Sequence, residues 1–277
     1  MNLNFFCIGA TKSGTSTIHD ILYNHPDIYL PDIKETKFFS INYHKGYNWY
    51  LNEYFKKHKN EKAIGEVYPC MASQEAPKRL YETLGENVKI FGILRNPADR
   101  AYSNYLAQKR ILNHDLTFKQ ALEELPYLIK KGLYAKNILR FADYFPLKNM
   151  RFYIFETDFI KQRRELIDNI QDFLIVEKLE LDIDIKSNFA WKPKSAILNK
   201  LLFKRPVILD KFLKLFLTST KLRQQLRLFF TKVNSKKISS PKLSDSDRKE
   251  IIDKYFYEDI LKLEKLLDKD LSIWYNI

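Results

Sequence analysis

Residues 9–17, Gly9-Ala10-Thr11-Lys12-Ser13-Gly14-Thr15-Ser16-Thr17, carry the residue types that bind phosphate at a strand-to-helix junction. The apolar segment Leu3–Ile8 precedes them, and Ile18, Ile21 and Leu22 follow at the spacing of one helix face. Such a loop offers an anion its backbone N–H groups and the positive end of the helix. Thr15, Ser16 and Thr17 add hydroxyl donors, and Gly14 lets the backbone approach closely. A nucleotide triphosphatase needs lysine directly after the second glycine. Here Thr15 stands there, and Lys12 lies two residues before Gly14. The loop reads as phosphate-binding but wrong for magnesium nucleotide hydrolysis, with a plain strand-to-helix turn as the alternative.

Two further positions could join it. Arg95 closes the apolar run Val88–Leu94, and Ser103 lies about two turns into the helix expected from Pro97 or Ala98 to about Arg110. The carboxyl edge of a parallel strand is where open α/β sheets take their ligands. Glu35 sits in Lys34-Glu35-Thr36-Lys37-Phe38-Phe39, where the aromatics can pin the segment and hold a carboxylate near the loop. A simple surface charge is the competing reading of Glu35.

These residues need a scaffold, and the pattern supplies one. Further strands are expected at Ala63–Val67 and Arg151–Phe155. Helices are expected from Tyr47 onward, over Ser73–Leu84 with Gly85 as C-cap, and over Leu116–Leu125, Leu133–Phe145 and Lys161–Leu174. Alternating strands and helices imply an α/β fold, a P-loop-like central parallel β-sheet flanked by helices. Residues 188–195 read as a loop, 197–237 as a strongly basic pair of amphipathic helices, and 243–267 as a helical segment N-capped by Ser244. With no repeat or low-complexity stretch, residues 1–277 read as one domain whose 197–277 part is a mainly helical C-terminal extension.

The net charge of +13 leaves nucleic acid, an anionic membrane surface and an anionic cofactor or substrate open as partners. The segment Leu201–Leu217 comes nearest to a membrane span but is broken by Lys204, Arg205, Asp210, Lys211 and Lys214. No signal peptide or transmembrane helix is evident, and the expectation is a cytoplasmic protein. Cys7 and Cys70 are expected as reduced, buried thiols. The five histidines show no metal-ligand spacing, so no metal is expected.

Taken together, the Gly9–Thr17 loop with its internal lysine and the run from Ile90 to Ser103 resemble the sulfotransferases that use 3′-phosphoadenosine 5′-phosphosulfate (PAPS). The family's 5′-phosphosulfate loop, G-x-x-K-x-G-T-[ST], is matched by Gly9, Lys12, Gly14, Thr15 and Ser16. Its 3′-phosphate motif, an arginine closing a strand and a serine eight residues later, is matched by Arg95 and Ser103. Glu35, Phe38 and Phe39 resemble the E-x-x-F-F segment of the glycosaminoglycan (heparan sulfate) branch, whose glutamate is the proposed general base. Asn42–Gly46 with Trp49 and Tyr50 is similar to the heparan-type N-sulfotransferase domain. Lys192-Pro193-Lys194-Ser195 is similar to the late cofactor loop, with Lys194 in an arginine's place. The resemblance departs at Val67, where some members have lysine, and at Lys37, which replaces histidine or glutamine.

The resemblance implies sulfuryl transfer from PAPS to a hydroxyl or amine, leaving adenosine 3′,5′-diphosphate, with a glycan or glycolipid favoured as acceptor and a small metabolite also credible. It implies a cofactor set of Lys12, Ser13, Gly14, Thr15, Ser16, Thr17, Arg95, Ser103, Lys192, Lys194 and Ser195. Lys12 and Glu35 would be catalytic. Lys37, His44 and Glu66 would meet the acceptor, with His44 or Glu66 able to replace Glu35 as base. The competing classes are a P-loop nucleotide kinase or phosphotransferase, and a basic protein binding nucleic acid, another anion or a membrane. No nucleic-acid motif supports the last, so nucleic acid is not expected, whereas peripheral membrane contact stays open.

Overall fold

The apolar runs become strands of one sheet because both faces of each must be buried. A computed structural model of the protein describes residues 2–112, 115–185, 191–203, 220–239 and 241–276. Five strands, β1 (Phe5–Gly9), β2 (Ile28–Tyr29), β3 (Ala63–Val67), β4 (Lys89–Leu94) and β5 (Met150–Ile154), lie in the order β2-β3-β1-β4-β5. All neighbours are parallel, with Phe6 opposite Glu66 and Ile90 on the two sides of β1. Along β1, Phe6 and Ile8 enter one hydrophobic core, while Phe5 and Cys7 enter the other. This period-two division is what a doubly covered parallel sheet requires.

The helices supply the covers. They are α1 (Thr15–Leu22), α2 (Tyr47–Tyr54), α3 (Ala76–Leu84), α4 (Pro97–Leu112), α5 (Phe118–Glu124), α6 (Tyr127–Lys130), α7 (Tyr134–Ala142) and α8 (Arg163–Leu174). One core contains Phe38, Phe39, Tyr50 and Leu94, and the other contains Ile18, Ile21, Ile93 and Ile167. The α3 helix ends at Gly85, whose φ of 78° a side-chain-bearing residue would resist. The chain leaves β1 toward β2 and leaves β4 toward β5, so the sheet reverses its winding between these adjacent strands. A crevice opens there, at the carboxyl ends of β1 and β4.

The C-terminal part departs from the sequence-based expectations at two places. Residues 191–193, expected as loop, form β6 (Trp191–Pro193), paired antiparallel with β7 (Ser235–Lys237). A three-residue edge strand containing proline leaves no periodic trace, and its partner lies far along the chain. Between them lie α9 (Ala196–Phe203) and α10 (Thr220–Val233). Lys204, Arg205, Lys211 and Lys214 of the expected basic helices, and residues 188–190 of the expected loop, lie outside the described residues.

The segment expected as one helical pattern over 243–267 is two helices, α11 (Asp245–Tyr255) and α12 (Tyr257–Leu267), divided at Phe256. Ser244 caps α11 by accepting the Asp247 N–H at 3.1 Å. The break lets the buried Phe256 ring meet Gly132, where an added Cβ would come within 2.8 Å of it. It also brings the Asp259 carboxylate onto the Ala135 and Lys136 N–H groups at the start of α7, at 2.9 and 3.0 Å. A carboxylate at a helix N-terminus contributes roughly 0.3–1 kcal/mol. Cys7 and Cys70 are buried and free, and burial pushes the Cys7 thiol up to about 12. Among the described residues, no helix is long and apolar enough to cross a membrane.

Candidate active site

A cavity of about 310 Å³ fills the crevice between the ends of β1 and β4. One side is the loop predicted to hold phosphate: Thr11, Lys12, Gly14, Thr15, Ser16 and Thr17 line it. Arg95, Ser103, Lys34 and Glu35 line it too, with Pro69, Phe155 and Phe159. Residues from five separate stretches of sequence therefore converge on one volume, of the size small-molecule sites commonly have.

The loop is shaped by glycine. Gly14 has φ 82°, and a Cβ there would come within 2.7 Å of the Phe159 ring, so both backbone and space exclude a larger residue. Thr15 begins α1 directly after it, placing the first unpaired helix N–H groups at the cavity. Ser13 is buried with no hydrogen-bond partner for Oγ, and it does not line the cavity.

Lys12 also adopts positive φ, at 73°. Its carbonyl accepts a hydrogen bond from Arg95 Nη1 at 3.3 Å, which ties the two cationic stretches together. Burial lowers the Lys12 ammonium pKa to about 8, with Arg110 and Arg95 adding repulsion. Such a site carries more positive charge than it can comfortably hold alone, which is what a polyanion relieves. With the hydroxyls of Thr15, Ser16, Thr17 and Ser103, the donor set fits a ligand bearing several phosphate-like groups.

Arg95 is fixed from behind. Its guanidinium lies 4.9 Å from the Phe155 ring centre, and its carbonyl accepts the Tyr134 hydroxyl at 2.8 Å. The next residue, Asn96, accepts from the Ala98 and Asp99 N–H groups at 3.0 and 3.2 Å and so starts α4. Glu156 accepts the Asn96 N–H at 2.9 Å and the Trp274 indole N–H at 3.0 Å, and Asn96 Nδ2 donates to the Trp274 carbonyl. The end of the described chain thus buttresses the turn that carries Arg95.

Glu35 has φ 64°, and its carboxylate pairs with Lys34 Nζ at 2.9 Å. Lys34 Nζ also reaches Thr15 Oγ1 at 3.3 Å, linking the carboxylate to the start of α1. A left-handed residue without glycine costs on the order of 1 kcal/mol and persists only where its surroundings impose it.

Several expected residues are elsewhere. Glu66 is wholly buried, and Thr36 and Tyr50 occupy its oxygens, so it is not on the cavity. His44 is exposed, its Nδ1 hydrogen-bonded to the Ile41 carbonyl at 3.1 Å, and Lys37 is exposed at the start of the following turn. Of Glu35, His44 and Glu66, it is Glu35 that lines the cavity. Lys192, Lys194 and Ser195 do not line it either. Lys194 Nζ donates to the Val233 carbonyl and the Ser195 N–H to Asn234 Oδ1, so that loop is bound to β7 and the end of α10.

Sequence reasoning missed Phe155 and Phe159, which follow β5, and the bridging part of Lys34. The sequence pattern places Phe155 as the last residue of the strand Arg151–Phe155, whereas β5 ends at Ile154, and no motif marks either aromatic. Among the described residues, no three His, Cys, Asp or Glu side chains group as a metal site.

A family model described as the sulfotransferase domain matches residues 4–194, well over half of the chain. Mouse heparan sulfate glucosamine 3-O-sulfotransferase 3B1 is 29% identical over 184 residues, 63% of this chain and 46% of that protein. Human bifunctional heparan sulfate N-deacetylase/N-sulfotransferase 2 is 31% identical over 166 residues, 51% of this chain and 18% of that protein. The chain thus spans less than half the length of these curated relatives. A crystal structure of a sulfotransferase from Alicyclobacillus acidocaldarius superposes with a TM-score of 0.67 over 99% of both chains, at 24% identity, which speaks to the fold. The matched region contains both the Gly9–Thr17 loop and the Arg95–Ser103 stretch, and on that ground the chain belongs to the sulfotransferase domain family.

Proposed function

We propose that this enzyme transfers a sulfuryl group from PAPS to a hydroxyl or amine of a glycan or glycolipid. The observation that carries the reading is the convergence of Lys12, Thr15, Ser16, Thr17, Arg95, Ser103 and Glu35 on one cavity. PAPS, when bound, supplies the activated sulfuryl group. The α1 N-terminus with Thr15, Ser16 and Thr17 would hold the 5′-phosphate side, and Arg95 and Ser103 the 3′-phosphate. Lys12 stabilises negative charge developing on the leaving oxygen, where a preorganised cation in a buried site is worth most. Glu35 takes the proton from the attacking hydroxyl or amine, and Lys34 holds its carboxylate in place.

The glycan acceptor rests on the heparan sulfate relatives and on the Glu35–Phe39 segment. Residues 1–277 are taken as one domain, supported by the contacts of Asn96 and Glu156 with Trp274. Transfer of labelled sulfate from PAPS to a panel of glycan, glycolipid and phenolic acceptors, read by mass spectrometry in the presence of EDTA, tests the reading. A product on a glycan or glycolipid is expected. Absence of transfer to every acceptor, with no binding of adenosine 3′,5′-diphosphate, would overturn it.

A further inference from the structure

The chain's charge is segregated to a degree that its catalytic cavity does not explain. Residues 191–242 contain fourteen of the 47 lysines and arginines and one of the 34 acidic residues, Asp210. The whole net charge of +13 therefore belongs to this segment, and the remainder of the chain is balanced. On the described parts of the segment, Lys192, Arg227, Lys232 and Lys236 are exposed.

The same helices also expose large apolar side chains. On α9, Ile197 is 77% exposed, and Leu201 follows it one turn later on the same face. On α10, Phe229 is 60% and Val233 51% exposed, four residues apart, with Phe230 beside them. The helices pack on each other, and the β6–β7 pairing closes their far ends together. A soluble polyanion would use the cations but has no use for two phenylalanines, an isoleucine and a valine. A bilayer interface uses both, because apolar tips enter the acyl boundary while basic side chains meet anionic headgroups.

We propose that the α9–α10 face docks the protein on an anionic lipid bilayer. Asn199, on α9, donates to the Arg110 carbonyl at the end of α4, and Arg110 repels the Lys12 ammonium. The docking face is thereby coupled in space to the cavity, although the inference does not depend on the reaction proposed for that cavity.

Co-sedimentation of the full chain with phosphatidylcholine vesicles, with and without phosphatidylglycerol, tests the proposal. Partition onto the anionic vesicles alone, weakened by salt, is expected. Arg227→Gln with Lys232→Gln should reduce it by about thirtyfold, from the usual attraction per basic residue. Phe229→Ser with Phe230→Ser should reduce it by about tenfold or more, and circular dichroism should show an unchanged fold. Phe229→Trp gives a second readout, a blue shift of its emission with anionic vesicles only. Failure of the wild-type chain to partition would overturn the proposal. So would heparin binding that the serine changes leave intact without vesicle binding, which would mark a polyanion site. A loss of self-association in the serine variant, with no vesicle binding by the wild type, would assign the face to a second copy.

Discussion

Glu66 grips the residue after Glu35 twice: Oε1 accepts the Thr36 N–H at 2.7 Å, and Oε2 accepts the Thr36 hydroxyl at 3.0 Å. The Tyr50 hydroxyl adds a third bond to Oε2 at 2.5 Å. Burial raises the Glu66 pKa, while these three donors favour its charged form. The carboxylate lies on β3, beside Phe6 of β1, so it ties the segment bearing Glu35 to the middle of the sheet. The residue it grips, Thr36, directly follows Glu35, which has φ 64°, and positioning of Glu35 is the role expected of Glu66.

Glu66→Gln should therefore damage turnover without damaging the donor site. The glutamine oxygen can keep one acceptor position, but the amide nitrogen can only donate. The hydroxyl bonds from Thr36 and Tyr50 to Oε2 must therefore reverse or be lost, and an unmade buried bond costs roughly 1–3 kcal/mol. The variant is expected to melt earlier and to show lower kcat, while its Kd for adenosine 3′,5′-diphosphate stays within about twofold of wild type. Calorimetric binding beside steady-state rates separates the outcomes. An unchanged kcat would leave Glu66 with a stability role alone.

The turn carrying Arg95 gives a second prediction, because Glu156 spans Asn96 and Trp274. Trp274→Phe keeps a buried ring and removes the indole donor. The Kd for adenosine 3′,5′-diphosphate should weaken by about three- to tenfold, the worth of one hydrogen bond acting through Arg95. Arg95→Ala removes the direct charge-assisted contact and should cost on the order of 2–3 kcal/mol. If Trp274→Phe binds as tightly as wild type, the C-terminal contact stabilises the fold without tuning the site.

What was legible in the sequence follows from how local each signal is. The strand at Ala63–Val67 and the helix that begins at Pro97 stand where the apolar runs, glycine and proline put them. Gly9, Lys12, Gly14, Arg95 and Ser103 were legible because a phosphate loop and a strand-closing arginine are contiguous patterns. Glu66 was legible as a carboxylate on a buried strand but not as one turned away from the cavity, since its partners Thr36 and Tyr50 lie on other elements. The Asn96–Glu156–Trp274 contacts and the β6–β7 pairing were invisible for the same reason: each joins distant residues through tertiary packing.

The Lys12 ammonium is expected to make affinity for the proposed nucleotide pH-dependent. Burial, with Arg110 and Arg95, lowers its pKa from 10.5 to about 8 in the free protein. A bound phosphate group favours the charged form and raises it again. Between those limits binding takes up a proton, so the Kd for adenosine 3′,5′-diphosphate should weaken as pH rises from 8 to about 10. Titration calorimetry in buffers of different ionisation enthalpy measures that proton directly. The effect on folding has the opposite sign: the unfolded chain holds more protons in this window, so the Lys12 contribution to stability improves as pH rises through it. Lys12→Arg, charged throughout, should flatten the binding profile. A wild-type Kd that does not change across this range would place Lys12 away from the phosphate.

Lys12 and Glu35 line the same cavity, but the proposed reaction sets them at opposite ends of the transferred group. Lys12→Ala should slow transfer to every acceptor, and it should weaken the desulfated product at least as much as PAPS, because the leaving oxygen carries its full charge in the product. Glu35→Gln keeps the shape, can still accept from Lys34, and loses proton affinity. It should leave donor binding intact and lower kcat by about a hundredfold or more, the usual scale of general-base loss. The loss should shrink for an acceptor already ionised at assay pH, such as an acidic phenol, which needs no base. Lys12→Ala should show no such recovery, because the leaving oxygen needs stabilisation whatever attacks. The ratio of the two variants' rates across a series of phenols of falling pKa therefore reads the division of labour directly. A Glu35→Gln enzyme with wild-type kcat on an aliphatic hydroxyl would remove Glu35 from the chemistry, and a parallel response of both variants to phenol pKa would show that they act at the same end.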